Sequence, residues 1–205
     1  AGATGDDDSF AGLFDRITST LIEQIEALAR IADEFSTFAR LPTRVMESLD
    51  LNEVIREAAD LMQEESDDVT IDLDLYDDPL VVEADREELR RIYINLIKNA
   101  MQAIPEHRDG RIQIATTTVA ASGDASPGVR STITDNGTGI PEDLQDKIFQ
   151  PSFSTKTSGT GLGLAIARKG IEELDGRIGF DTTEGEGTTF WIRLPLSDEA
   201  PVDVG

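Results

Sequence analysis

Between residues 51 and 194 the apolar residues switch repeatedly between the three-to-four-residue spacing of a helix and the strict alternation of a strand, and that switching limits the possible folds more than any other feature. Helical spacing runs over 51–65 (Leu51, Val54, Ile55, Ala58, Ala59 and Met62), with Asp50 placed to cap its start, and again over 85–104, 142–148 and 161–174. Val69, Ile71, Leu73 and Leu75 alternate with polar residues, and strand patterns recur at 80–83, 111–120, 129–135, 177–182 and 188–194. Helices alternating with antiparallel-looking hairpins predict an α+β two-layer sandwich, one sheet covered on one face by about three helices.

A long amphipathic helix precedes this block. Leu21, Leu28 and Phe35 interleave with Ile25, Ala32 and Ala39, while Ile22, Ile31 and Phe38 widen the stripe until Pro42 ends it. That stripe is too wide for a lone surface helix, which predicts one half of a helical hairpin or bundle. Residues 1–12 read as a linker, 13–45 as this helix and its exit, 46–196 as the main domain and 197–205 as a disordered tail.

The chain has 205 residues and no cysteine, so disulfide scaffolds, thiolate metal sites and cysteine nucleophiles are excluded. Its single histidine, His107, rules out a histidine-rich metal centre. Asp plus Glu number 41 against 18 Lys plus Arg, a formal charge of -23, and a field of that sign disfavours nucleic acid and anionic lipid as partners. Only Lys98, Lys147, Lys156 and Lys169 are lysines. Abundant carboxylate with so few lysines fits a protein living in concentrated salt; an acidic protein of ordinary cytoplasm is the alternative. No segment has the roughly 18 apolar residues of a membrane span, and the N-terminus lacks the layout of a signal peptide.

Three stretches carry chemistry. In YINLIKNAMQAI, Asn95 and Asn99 share one helical face, either satisfying nearby backbone or offering neutral oxygen to a hard cation that bridges phosphates. In TDNGTGIP, Asp135 leads into a turn where Gly137 and Gly139 would let a flat ligand approach, though an ordinary Asx turn explains the same residues. In SGTGLGLAIA, Gly159, Gly161 and Gly163 open a helix whose free N–H groups suit an anion, and Lys156 stands just ahead of them. No Walker-type phosphate loop is present.

The order N-L-x-x-N-A, D-x-G-x-G, F-x-P-x-F-S-T-K, G-T-G-L-G-L resembles the ATP-binding domain of sensor histidine kinases, within the superfamily that includes gyrase-type topoisomerases, heat-shock chaperone ATPases and mismatch-repair ATPases. F-x-P-x-F-S-T-K, with DEFSTFAR at 33–40, looks most like the nitrogen-regulation class. The resemblance implies the Bergerat (GHKL) fold, ATP or ADP as nucleotide and Mg²⁺ as metal. It implies that Asn99 ligates Mg²⁺, that Asn95 supports the phosphates or metal, and that Asp135 accepts from the adenine exocyclic amine. Gly137, Gly139 and Ile140 would border the base. Gly159, Gly161 and Gly163 would free a lid and cradle phosphates, with Thr160, Leu162 and Leu164 alongside. Lys156 would steady the γ-phosphate, and Thr188 would bond near the adenine. Phe149 and Phe153 would pack the lid or simply the core.

The resemblance further implies phosphoryl transfer to a histidine and thence to a response regulator receiver domain. It implies a cytoplasmic portion of a membrane-associated sensor, with the membrane reached only through other parts. Hydrolysing relatives carry a glutamate at the position of Asn95, and an amide cannot act as a general base, which favours transfer over hydrolysis. His107 lies in PEHRDGR, without an acid after it, and is expected to be a solvated loop residue rather than the phosphoacceptor. The helix at 17–41 resembles the second helix of the dimerisation hairpin, so the chain is expected to lack the acceptor histidine and to self-associate through that helix. Competing readings are a nucleotide-binding regulatory module and a conformational ATPase.

Overall fold

The computed structural model describes residues 17, 18, 20–22, 25, 44–66, 68–120, 127–151, 153 and 161–197. Its elements, in chain order, are β1 (Glu47–Asp50), α1 (Leu51–Glu64), β2 (Val69–Asp74), β3 (Val81–Ala84), α2 (Arg86–Ala103), β4 (Gly110–Val119), β5 (Gly128–Asp135), α3 (Glu142–Gln145), α4 (Gly163–Glu172), β6 (Arg177–Thr183) and β7 (Gly187–Pro195). Five strands form one sheet in the order β2-β4-β5-β7-β6, and β1 pairs with β3 in a separate two-stranded ribbon. Helix α2 packs between α1 and α4 and lies across β4, β5 and β7, while α1 covers β2 and α4 covers β6. The two-layer α+β sandwich expected from the periodicity is the fold observed.

Local chemistry sets the helix ends. The Asp50 carboxylate accepts from Asn52 N at 3.0 Å and from Leu80 N at 2.9 Å, so one side chain starts α1 and ties it to the approach of β3. Asp85 does the same for α2, accepting from Glu88 N at 3.0 Å and Val45 N at 2.9 Å. Helix α2 ends because Ile104, preceding Pro105, is held in the extended region (φ -86, ψ 123).

Three details differ from the sequence reading. Residues 47–50, to which the periodicity assigns no element, form a strand that buries Ser48 and Leu49. Strands β2 and β4 pair in parallel, because the connection between them carries β3 and α2 across the sheet. The helix expected at 142–148 spans four residues and continues as turns. Most of the helix expected at 17–41, the linker 1–12 and the tail beyond Ser197 lie outside the described residues; 17, 18, 20–22 and 25 are helical.

The inward face of the sheet is apolar for most of its length. Tyr93 of α2 is fully buried on it, its hydroxyl 2.6 Å from Ser131 Oγ, and burial pushes the phenol well above its usual range.

Candidate functional site

The apolar pattern of the inward face breaks at one end of the sheet. Pairing registers put Asp135 of β5 opposite Thr188 of β7, and Thr188 opposite Thr182 of β6, so three polar residues occupy one cross-strand row. The next row inward is Ile133, Phe190 and Phe180. Asp135 and Thr188 are each 4% exposed, and such buried polar groups need partners. Asp135 Oδ1 accepts from Gly137 N at 2.8 Å and Thr188 N at 3.2 Å, while Thr188 Oγ1 lies 3.0 Å from Thr182 Oγ1. A cavity of about 570 Å³ opens on this row, lined by Asp135, Gln145, Phe180, Thr182, Glu186 and Thr188 among others.

The turn after β5 is pressed against the hairpin between β6 and β7, whose Thr183, Glu186 and Gly187 line the cavity. Gly185 N donates to Thr138 O at 2.7 Å and Ile140 N donates to Thr182 Oγ1 at 3.0 Å. Gly139 (φ 69) and Gly187 (φ 136) sit where only glycine is unstrained, and a Cβ at either would come within 2.3 Å of Thr183 O or 2.0 Å of Asp135 O respectively. Thr138 N donates to Ala103 O at 3.0 Å, which fixes the turn to the end of α2. Arg108, from the loop after α2, clasps the assembly: its guanidinium donates to the carbonyls of Asn136, Gly137 (2.9 Å) and Gly185. Asn136 accepts from Arg111 N and donates to Asp109 O, both at 2.9 Å.

The two asparagines lie on α2, the helix that packs across β5 and β7, half-buried and one turn apart. Asn95 Nδ2 is buried and has no hydrogen-bond partner. Its amide abuts the first residue of α4: a Cβ on Gly163 would sit 2.4 Å from Asn95 Oδ1. Helix α4 begins after Leu162, whose side chain offers no cap, so the first N–H groups have no acceptor within the helix itself. An unpartnered amide donor beside an uncapped helix start is a place for an anion.

The expected residues thus fall into two groups. Asp135, Gly137, Gly139, Ile140 and Thr188 lie at the end of the sheet and in the turn that follows β5; Asn95, Asn99 and Gly163 lie on α2 and at the start of α4. Gly161 lies against the Phe153 backbone, and Leu162 and Leu164 are buried or half-buried beside the core. Phe149 packs on Phe180 with centroids 6.0 Å apart, Phe153 is half-buried against the core, and His107 is exposed. Lys156, Gly159 and Thr160 lie outside the described residues. Sequence reading missed Arg108 and Thr182. For Thr182 a signal existed, a polar residue at an inward position of β6; for Arg108 there was none.

Residues 84–198, more than half of the chain, match the family model described as "Histidine kinase-, DNA gyrase B-, and HSP90-like ATPase". The chain is 38% identical over 197 residues to nitrogen regulation protein NtrY of Azorhizobium caulinodans, covering 92% of this chain and 24% of that protein. It is 33% identical over 193 residues to sporulation kinase E of Bacillus subtilis, covering 93% of this chain and 25% of that one. This chain therefore spans about a quarter of the length of these curated relatives. Among solved structures, the nucleotide-free catalytic domain of histidine kinase ThkA superposes with a TM-score of 0.63 at 37% identity, over 74% of this chain and 96% of that one. ThkA in complex with response regulator protein TrrA superposes at 0.71 with 28% identity, over 90% of this chain and 52% of that one. The chain belongs to the histidine kinase-, DNA gyrase B- and HSP90-like ATPase family, and its relatives include sensor histidine kinases.

Proposed function

We propose that this chain is the ATP-binding, phosphoryl-donating part of a two-component sensor kinase. The observation that carries the reading is a pair of polar breaks in an apolar core: the buried Asp135–Thr188 row, suited to the base, and the orphan Asn95 amide donor beside the start of α4, suited to the phosphates. Asp135 takes the adenine amine, Asn95 Nδ2 donates to a phosphate oxygen, and the N–H groups at the start of α4 face the same anion. Gly137, Gly139 and Ile140 border the base, and Leu162 and Leu164 seat the start of α4. Lys156, Gly159 and Thr160, which precede α4 in the sequence, are assigned to the phosphates by the motif alone.

Among the described residues no three carboxylate, histidine or cysteine side chains converge on a metal site. The Asn99 carboxamide oxygen fits Mg²⁺ held jointly with phosphates, since that ion accepts a few protein oxygens and keeps the rest of its shell for substrate and water. Bound there, the ion neutralises phosphate charge. Asn95 can position phosphate but cannot take a proton from water, so the chain's residues favour donation to a nucleophile that needs no base. An imidazole nitrogen is such a nucleophile: it bonds to the γ-phosphorus as the bond to the bridging oxygen breaks and ADP leaves.

The acceptor histidine is assigned to a helix outside these residues, because His107, the one histidine of the sequence, is exposed in a loop and has no acid directly after it. The onward recipient is a response regulator receiver domain, supported by the ThkA–TrrA neighbour. Self-association through the helix at 17–41 is supported by Ile17, Leu21, Ile22 and Ile25, which are 50%, 57%, 51% and 63% exposed along one helical stretch. No helix among the described residues is long and apolar enough to cross a membrane. An ATP-dependent phosphoryl donor works where ATP is, which on this reading is the cytoplasmic side.

Labelled ATP offered together with a separate chain bearing a histidine helix of this kinase class tests the reading. Label on the acceptor histidine is expected. Phosphate release without an acceptor would make the chain a conformational ATPase, and binding with neither outcome a regulatory module.

A further inference from the structure

We propose that Thr182 is a positioning residue that sets purine selectivity by fixing the hydroxyl hydrogen of Thr188. The inference rests on the nucleotide reading above and on an inventory of hydrogens. A threonine hydroxyl has one hydrogen to donate and two lone pairs to accept with. Thr182 Oγ1 lies 3.0 Å from Gly187 O, and a carbonyl oxygen only accepts, so the single Thr182 hydrogen goes there. Ile140 N donates to the same Oγ1 at 3.0 Å. The remaining contact, 3.0 Å to Thr188 Oγ1, still needs a hydrogen, and only Thr188 has one to give. Thr182 is then saturated, donating once and accepting twice.

The consequence falls on Thr188. Its hydrogen is committed toward β6, and its oxygen presents lone pairs alone to the cavity it lines. Its row neighbour Asp135 is an acceptor as well. This end of the cavity therefore offers acceptors to whatever purine edge enters. The exocyclic amine of adenine brings two N–H donors. The keto oxygen that guanine carries at the same ring position would meet lone pairs, and a buried polar group left facing its own kind is strongly rejected. Thr182 touches no nucleotide in this scheme and acts through Thr188. The site needs it because Thr188 alone is free to rotate and serve as donor or acceptor.

Competition binding of Mg·ATP and Mg·GTP to the full chain, with wild type, Thr182→Val and Thr182→Ser compared, tests the idea. Wild type is expected to prefer ATP strongly. In Thr182→Val the shape is nearly kept but the hydrogen of Thr188 is released, and the ATP preference is expected to fall about tenfold or more. Thr182→Ser restores the hydroxyl and is expected to restore the wild-type ratio. A merely structural role would weaken both nucleotides alike and leave the ratio unchanged, and that result, or failure of serine to restore the ratio, would overturn the inference. If Thr182→Val does not fold, Thr188→Val serves instead: it removes the proposed acceptor, and an undiminished preference for ATP would overturn the inference equally. Wild type binding neither nucleotide would overturn the nucleotide reading itself, whereas binding both with an insensitive ratio overturns only the role of Thr182.

Discussion

A methyl group added at Gly163 has nowhere to go except into the Asn95 amide, 2.4 Å away. Gly163→Ala therefore displaces Asn95 from the phosphate side while sparing the core, and nucleotide affinity is expected to drop about tenfold, the size of one charge-assisted hydrogen bond. Unfolding in urea should be little changed; a variant that binds as wild type would show that Asn95 does not touch the phosphates. Asp85 carries a stability effect that depends on pH. Burial alone would raise its carboxyl, but N–H groups of Glu88, Val45 and Glu87 and the charge of Arg44 hold it below the ordinary 3.8. A depressed carboxyl stabilises the folded state above its unfolded value, and the benefit fades as pH falls below about 3.8 toward the folded value. Asp85→Ala should lower stability by about 1 kcal/mol at pH 7 and by less near pH 3. An equal loss at both, by urea titration, would assign the effect to something other than the ionised cap.

Among the elements, α2 is the member on which everything converges, since it packs on two helices and three strands and carries both asparagines. Its fully buried Tyr93 is held to β5 by Ser131. Tyr93→Phe should cost about 1–2 kcal/mol by stranding the serine hydroxyl, and adding Ser131→Ala should recover part of it in a double-mutant cycle of urea unfolding. Strict additivity would mean that the pair does not interact. Elements of this length were legible in the sequence because periodicity and caps speak for themselves: Asp50 and the apolar spacing of 51–64 need no tertiary information. Strand β1 was not legible, because four residues carry no period and their partner lies more than thirty residues away. The parallel pairing of β2 with β4 was hidden for the same reason. In the site, Asp135 and the glycines announced themselves as a motif. Thr182 and Arg108 gained meaning only from register and loop closure, which bring Thr182 beside Thr188 and Arg108 beside Asn136 and Gly185.

For the molecule as a whole, net charge governs how stability responds to the solvent. Forty-one acidic residues against 18 basic ones repel one another at low ionic strength, and several of the arginines are engaged, Arg86 with Glu53 and Glu57 and Arg44 with Glu88 and Glu173. Salt weakens those pairs, but with so large an excess of one sign the relief of repulsion is the greater effect. Thermal unfolding should therefore rise in midpoint from low to molar KCl; equal stability at both would contradict salt adaptation. The central claim is that one nucleotide takes its base to Asp135 and its phosphates to Asn95 and the start of α4. Titration calorimetry of folded wild type and Asp135→Asn with Mg·ATP tests it most directly. Saturable binding by wild type, weakened at least tenfold in Asp135→Asn, is the result expected from a lost charge-assisted hydrogen bond to the base. No heat and no saturation with well-folded wild type, or equal affinity in the two proteins, would contradict it.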